Sequence, residues 1–458
     1  MLSGGGAFGA YEVGVLRVLE RLRIRPSIMA GVSVGAINAL LWIAHDTRTE
    51  PLVRTWAALN ASGAGMRWTT LALRALGVLL VTIALLEILL GFAGSPELGL
   101  WQILGGRRPA GESTSVLLDV VAWTIVALAG AVMSRLSRRI EGWLAGLPAT
   151  RFAQAWRTWF GRGLLLLAAL HALTWALGWP WPHRFSATAL LIATVFWMFQ
   201  RSGGGDRWLR ALLIRMLPET GGRGAWGSAA RQRLIERVLA RGRPRRVVDG
   251  DIRLMISACA LDNGTMTYFV NWPEPSDAFR HRVRRALGEV KVMRRPREVV
   301  RAALASSALP IVYEPVRIDG HDYVDGAVFA NQPLRVLVPE EADAVLVVLL
   351  SPASLAGHRR PGAHLVDLGA QLLELANWRD LQAELRVLPE GWSRTPEGGA
   401  PARVCVVEPR EPLPGGVLGF NPETAIELMR LGERDALEAL AAAGWWGPDP
   451  GAAAAARA

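Results

Sequence analysis

The chain has 458 residues, enough for two or three domains, and 51% of them are apolar, with a mean hydropathy of +0.24 that exceeds the need of an ordinary globular enzyme. Its formal charge of +11 rests on arginine, Lys291 being the lone lysine; with no arginine-aromatic RNA motif and no zinc-finger spacing, the charge argues against nucleic acid and for an anionic membrane. Cys259 and Cys405 are isolated and form no CxxC pair, which excludes a disulfide framework and suggests core strands in a reducing compartment.

Met1-Leu2-Ser3-Gly4 offers no basic and apolar signal-peptide pattern, so secretion by that route is not expected. The glycine loop "SGGGAFG" follows, then Val15, Val18, Leu19 and Leu22 at the spacing of a helix that buries one face, until Arg25-Pro26 breaks it. Ile28–Ala30 reads as a short strand, and "GVSVGAINALLWIA" from Gly31 as a sharp turn into a second helix. That order, over residues 1–65, is typical of parallel-sheet α/β proteins.

Residues 66–202 carry four apolar runs: Ala75–Ala93, Val116–Met133, Gly163–Trp179 and Phe185–Phe199. At about 1.5 Å per residue the first two can cross a hydrocarbon core of roughly 30 Å and the last two are marginal. Arginines crowd the link between the second and third runs and both flanks, whereas the first link has Arg107 and Arg108 and the last has Arg184. The positive-inside rule then places flanks and middle link in the cytoplasm, giving an integral membrane protein whose globular parts are cytoplasmic, in a bacterial inner membrane. Glu87, Asp119 and His171 inside the runs keep open a buried helical bundle, or hairpins that enter one leaflet.

The globular pattern resumes over 203–445. "RLMISACALDNGTMTYFV" reads as two strands about the turn Asp262-Asn263-Gly264, and "ADAVLVVLLSP" as a buried strand; the tail 446–458 reads as disordered.

Gly31-x-Ser33-x-Gly35 has the form of a nucleophile elbow, with the following helix directing its positive end at the serine. Gly4, Gly5 and Gly6 are candidates to present backbone N–H groups to a developing oxyanion. Gly4-x-Gly6-x-x-Gly9 also matches a dinucleotide fingerprint, but the strand that should end in an acidic residue leads into Gly31 and Ser33, so no nicotinamide cofactor is expected. Asp325 precedes Gly326-Ala327 at the end of a strand-like stretch, where a turn would hold its carboxylate near the sheet end; alone it is also an ordinary Asp-Gly turn. No metal-ligand cluster is visible, and oligomeric state is not legible.

Together, "SGGGAFGAYEVGVL", "GVSVGAINA", the block ending in "VDGAVFANQPL" and, more loosely, "GFNPETAIELMRLGERDA" resemble the patatin-like phospholipase family. The resemblance implies a three-layer α/β/α domain with a mainly parallel sheet, here interrupted by an all-α, four-helix transmembrane insertion. It also implies a Ser33–Asp325 dyad without histidine, an oxyanion loop of Gly4, Gly5 and Gly6 with Gly9, Gly31, Gly35, Gly326 and Ala327 in supporting motif positions, an acyl-Ser33 intermediate, and membrane lipid as substrate. Many members carry arginine or lysine at the position of Phe8, and only Met1 and Leu2 stand where a first strand is expected. Rival readings are a Ser-His-Asp hydrolase using His358 or His364, and an inactive membrane scaffold or lipid-binding protein on the same fold.

Overall fold

The computed structural model describes residues 1–92, 116–146, 213–214, 217–337, 342–352, 365–386, 388, 392–396 and 400–446. The chain divides into two compact units, Met1–Met66 with Arg223–Ala458, and Arg67–Gly222. The first unit begins with α1 (Gly9–Arg21), β1 (Ile28–Val32), α2 (Val34–Ala44) and α3 (Glu50–Ala58). The second contains α4 (Trp68–Phe92) and α5 (Val116–Gly146). The first resumes with α6 (Ala229–Leu239), β2 (Arg253–Ala260), β3 (Met266–Val270), β4 (Gly288–Val292) and α7 (Pro296–Ser306). It ends with β5 (Val316–Ile318), β6 (His321–Asp325), β7 (Val345–Val348), β8 (Val404–Val407) and α8 (Pro422–Ala442), with further helices between.

The sheet is mixed, which corrects the expectation of a mainly parallel one. β1 with β2, β3 with β4 and β7 with β8 are parallel, whereas β2 pairs antiparallel with β3 and β6, and β5 with β6. Short links dictate this, because only an antiparallel pair can be closed by a tight turn. Asp262-Asn263-Gly264 closes the first hairpin, and Asp319-Gly320, both at positive φ (50° and 89°), closes the second as a two-residue loop. Leu2 forms parallel bridges to Gly31 and Val348, so the first two residues fill the slot between β1 and β7. Cys259 and Cys405 are free and buried in β2 and β8, as expected.

The strands are apolar where they are covered: Met255, Cys259, Tyr268, Val270 and Val324 form one core with Phe279 and Val283. Along another part of the unit α1 lies against α8. Pro422 occupies the first turn of α8 and the Asn421 side chain accepts the Glu423 N–H, a cap that fixes where the helix starts. The axes approach at two glycines: a Cβ on Gly14 would stand 2.0 Å from the Met429 carbonyl oxygen, and one on Gly432 would stand 2.0 Å from that of Tyr11. Tyr11 Oη donates to Asp435 Oδ2 across the contact at 2.9 Å.

In the inserted unit the first two apolar runs fall in α4 and α5, which pack together near Gly77 and Gly130. Arg74 donates to Ser137 Oγ at 3.2 Å, and Arg74 and Arg138 both pair with Glu219. Among the described residues no helix is long and apolar enough to cross a membrane, so the transmembrane insertion expected from hydropathy is not supported there. α5 continues past Met133 through Arg135, Arg138 and Arg139, and charged contacts tie it to its neighbour. The runs Gly163–Trp179 and Phe185–Phe199, and all but the first residue of the tail 446–458, lie outside the described residues.

The α1–α8 contact leaves no room for a methyl group. Replacing Gly14 or Gly432 by alanine should therefore destabilise the first unit by about 1–3 kcal/mol, as overpacking does elsewhere, read as a lower urea midpoint.

Candidate active site

One edge of β2 brings the two ends of the chain's chemistry together. β1 runs parallel to β2 and its last residue, Val32, pairs with Ser257; β6 runs antiparallel and its last residue, Asp325, pairs with Ala258. The two strands thus approach each other head-on along the same edge and stop at adjacent positions. Ser33, the residue after β1, and Asp325 are the groups delivered to that meeting point.

Ser33 adopts φ 54° and ψ −122°, a conformation disfavoured for a residue with a side chain, and α2 starts at the next residue. The neighbouring glycines make the turn possible: a Cβ on Gly31 would come within 2.5 Å of the Gly35 carbonyl oxygen, and one on Gly35 within 2.6 Å of that of Leu2. The Ser33 N–H donates to Ser306 Oγ at 2.8 Å, and Ser306 Oγ donates to the Ser257 carbonyl at 2.7 Å, fixing the elbow to β2 and to the end of α7. Ser33 Oγ donates directly to Asp325 Oδ2 at 2.6 Å with no histidine between them. The other carboxylate oxygen accepts the Ala327 N–H at 2.9 Å, while Gly326 lies close against the Ser257 carbonyl.

The glycine loop is clamped from the far end of the domain. Asn331 Oδ1 accepts the Gly4 N–H at 2.6 Å and its Nδ2 donates back to the Gly4 carbonyl at 3.3 Å. Gln332 Nε2 donates to Ser3 Oγ at 3.0 Å, and Ser3 Oγ donates to the Val348 carbonyl at 2.6 Å. With the Gly4 N–H taken up, Gly5 and Gly6 become the loop's candidates to receive an anion. Gly9 opens α1 and its carbonyl accepts Asn38 Nδ2 at 2.9 Å; Asn38 also donates to Glu12 Oε2 and accepts Trp56 Nε1. Glu12 is fully buried, which pushes its carboxyl up to about 8.

Ser33, Asp325, the loop glycines and Phe8 line one cavity of about 220 Å³. Its remaining wall is largely apolar, with Leu41, Leu52, Trp56, Leu234, Ile235 and Phe420 among its residues. Phe420, stacked on Trp56 with ring centroids 6.1 Å apart, precedes α8, so the late segment of the sequence builds cavity wall. Burial raises the Asp325 carboxyl to about 6, against the opposing pulls of the Ser33 bond, the Ala327 N–H and the Arg231 charge. Among the described residues no group of three or more His, Cys, Asp or Glu is placed to hold a metal ion. His358 and His364 lie outside the described residues.

Sequence reasoning found Ser33, Asp325 and the glycines that the structure brings together. It missed Asn38, Arg231, Ser306, Asn331 and Gln332, all buried or facing the cavity. Ser306, Asn331 and Gln332 all stood inside the motif block from Ala305 to Leu334, as polar residues in apolar surroundings; Arg231 left no comparable signal.

The family model described as patatin-like phospholipase matches residues 1–114 and 149–338. The chain therefore belongs to the patatin-like phospholipase family. Among curated proteins it is similar to triacylglycerol lipase 5 of Saccharomyces cerevisiae, 38% identical over 55 residues, and to triacylglycerol lipase 4 of the same yeast, 40% identical over 53. Each alignment covers 12% of this chain and only 7% and 6% of those proteins. Among solved structures the crystal structure of VipD from Legionella pneumophila aligns with 96% of this chain and 66% of that one, at 12% identity and a TM-score of 0.33.

The buried Asp325 carboxylate carries a stability cost with a definite pH dependence. Its folded pKa lies above the ordinary carboxylate value, so the folded state holds the extra proton between about 4 and about 6 and loses stability as pH rises through that window. Asp325→Asn should accordingly raise the melting temperature at pH 8, by the equivalent of a few kcal/mol at most, and the gain should shrink as pH falls below about 6.

Proposed function

We propose that this family member is a lipid acyl hydrolase that cleaves carboxylic esters through an acyl-Ser33 intermediate, with Asp325 as the general base. The observation that carries the reading is the 2.6 Å bond from Ser33 Oγ to Asp325 Oδ2 in the lining of a largely apolar cavity. A carboxyl held at about 6 is ionised at neutral pH and remains basic enough to take a proton as a serine oxygen attacks.

In the proposed sequence Asp325 Oδ2 accepts the Ser33 hydroxyl proton while Oγ bonds to the ester carbonyl carbon. The carbonyl π electrons move to oxygen, and the Gly5 and Gly6 N–H groups, with the positive end of α2, receive that charge. Collapse expels the alcohol, which leaves with the proton from Asp325, and the acyl group stays on Ser33. A water then gives its proton to Asp325 and attacks the acyl carbon; the proton returns to Ser33 as the fatty acid departs. The apolar wall favours an acyl chain, which supports a lipid ester over a small polar one. Membrane lipid as the source of the ester is part of this proposal and rests on the apolar composition and the cavity wall.

A fluorophosphonate serine probe tests the reading on the full chain. Wild type should label and hydrolyse a long-chain ester, whereas Ser33→Ala and Asp325→Asn should lose about three orders of magnitude in rate or more. An unlabelled but folded wild type would favour the inactive scaffold, and loss of rate on replacing His364 would favour a histidine base.

A further inference from the structure

The described residues lining the cavity include one cation and one anion, Arg231 and Asp325. Arg231 lies on α6 with only 5% of its surface exposed, an unusual place for a guanidinium. Its hydrogen bonds go to neutral groups: Nη1 donates to the Ser307 carbonyl and to Ser307 Oγ, and Nη2 reaches Ser228 Oγ at 3.5 Å. Its Cζ sits 3.6 Å from the centre of the Tyr313 ring, and Nε is buried without a partner among the described residues. Burial holds Tyr313 in its neutral form against the opposing pull of this cation, so the anions Arg231 senses are Asp325 and Glu314.

A buried guanidinium without a close carboxylate is costly, and the cost is offset when a counter-charge shares its low-dielectric surroundings. Asp325 meets that need. The groups that act on Asp325 are Ser33 Oγ from the elbow, the Ala327 N–H from its own turn, and Arg231 from α6. Of these only Arg231 carries charge. Ser307, which Arg231 grips, follows Ser306, the residue that receives the Ser33 N–H.

We propose that Arg231 is the buried counter-charge of the Ser33–Asp325 pair, a positioning residue that holds the carboxylate in its ionised form and balances negative charge as it passes to the oxyanion. The inference rests on the Ser–Asp reading above and adds the group that occupies the electrostatic place a histidine leaves empty. Proton transfer from Ser33 neutralises Asp325 as the substrate oxygen becomes negative, so the net charge beside Arg231 is conserved through the step. A fixed cation therefore assists without having to move.

The test is the pH profile of kcat/KM for a chromogenic long-chain ester, measured on the full-length wild type, Arg231→Met, Arg231→Gln, Arg231→Lys and Ser307→Ala. Removing the cation raises the Asp325 pKa, so the acidic limb of the Met and Gln variants should move to higher pH by about one unit. Their loss of rate should be severalfold larger at pH 6 than at pH 8. Arg231→Lys should keep the limb near its wild-type position, and Ser307→Ala should lower the rate without moving it. Losses in Met and Gln that are equal at every pH would overturn the proposal and leave Arg231 as a brace for Ser307. Should either neutral variant fail to fold, the other and the lysine variant still decide the limb position. Hydrolysis retained by Ser33→Ala would instead overturn the Ser–Asp reading itself.

Discussion

The edge of β2 at Ser257 and Ala258 is the constraint on which the rest of the first unit depends. Backbone pairing there fixes Val32 and Asp325 at consecutive positions, and the elbow and the Asp-Gly turn then have little choice about where their side chains go. Neither strand needs to be long, because register is set by β2, whose own place is secured by β3 on its other edge. A one-residue slip of β6 would turn the carboxylate to the opposite face. The sheet therefore supplies the precision, while the glycine-rich connections supply the sharp changes of direction.

Around that meeting point the polar groups form layers of control. Ser306 ties the elbow amide to β2, Asn331 and Gln332 hold the glycine loop, and Asn38 joins α2 to Gly9, Glu12 and Trp56. Each of these side chains is buried or nearly so and bonds to groups far away in sequence, so the site is assembled by tertiary structure and not by any local segment. The strained Ser33 backbone and the raised Asp325 carboxyl are unfavourable in isolation and are held by this surrounding network. The domain therefore carries a strained serine and a buried carboxyl side by side in the lining of one largely apolar cavity.

Much of this was legible in the residues. The glycine loop with its helix, the strand before Gly31, the hairpin at Asp262-Asn263-Gly264, the apolar strand near Val345 and the buried cysteines all follow from local pattern, where spacing and turn chemistry act over a few residues. The mixed sheet was less visible, although Asp319-Gly320 is itself a hairpin signal; parallel order in the first residues suggested a regularity that the later hairpins break. Hydropathy alone did not reveal that α4 and α5 lie against each other or that Glu219 binds one arginine from each, Arg74 and Arg138, because both are properties of contacts. Asn331 and Arg231 were missed for the same reason: their meaning lies in partners 327 and 76 residues away.

The Ser33–Asp325 bond closes a loop of 292 residues. At synthesis rates of about 5–20 residues per second, Ser33 emerges from the ribosome many seconds before its hydrogen-bond partner Asp325. A nascent chain holding only the elbow has a serine of ordinary reactivity, and β1 lacks the β2 edge against which to settle. The proposed Ser33–Asp325 pair is thus complete only late in synthesis, with the pairing of β6. On the proposed reading, the unfinished chain is therefore inert toward esters.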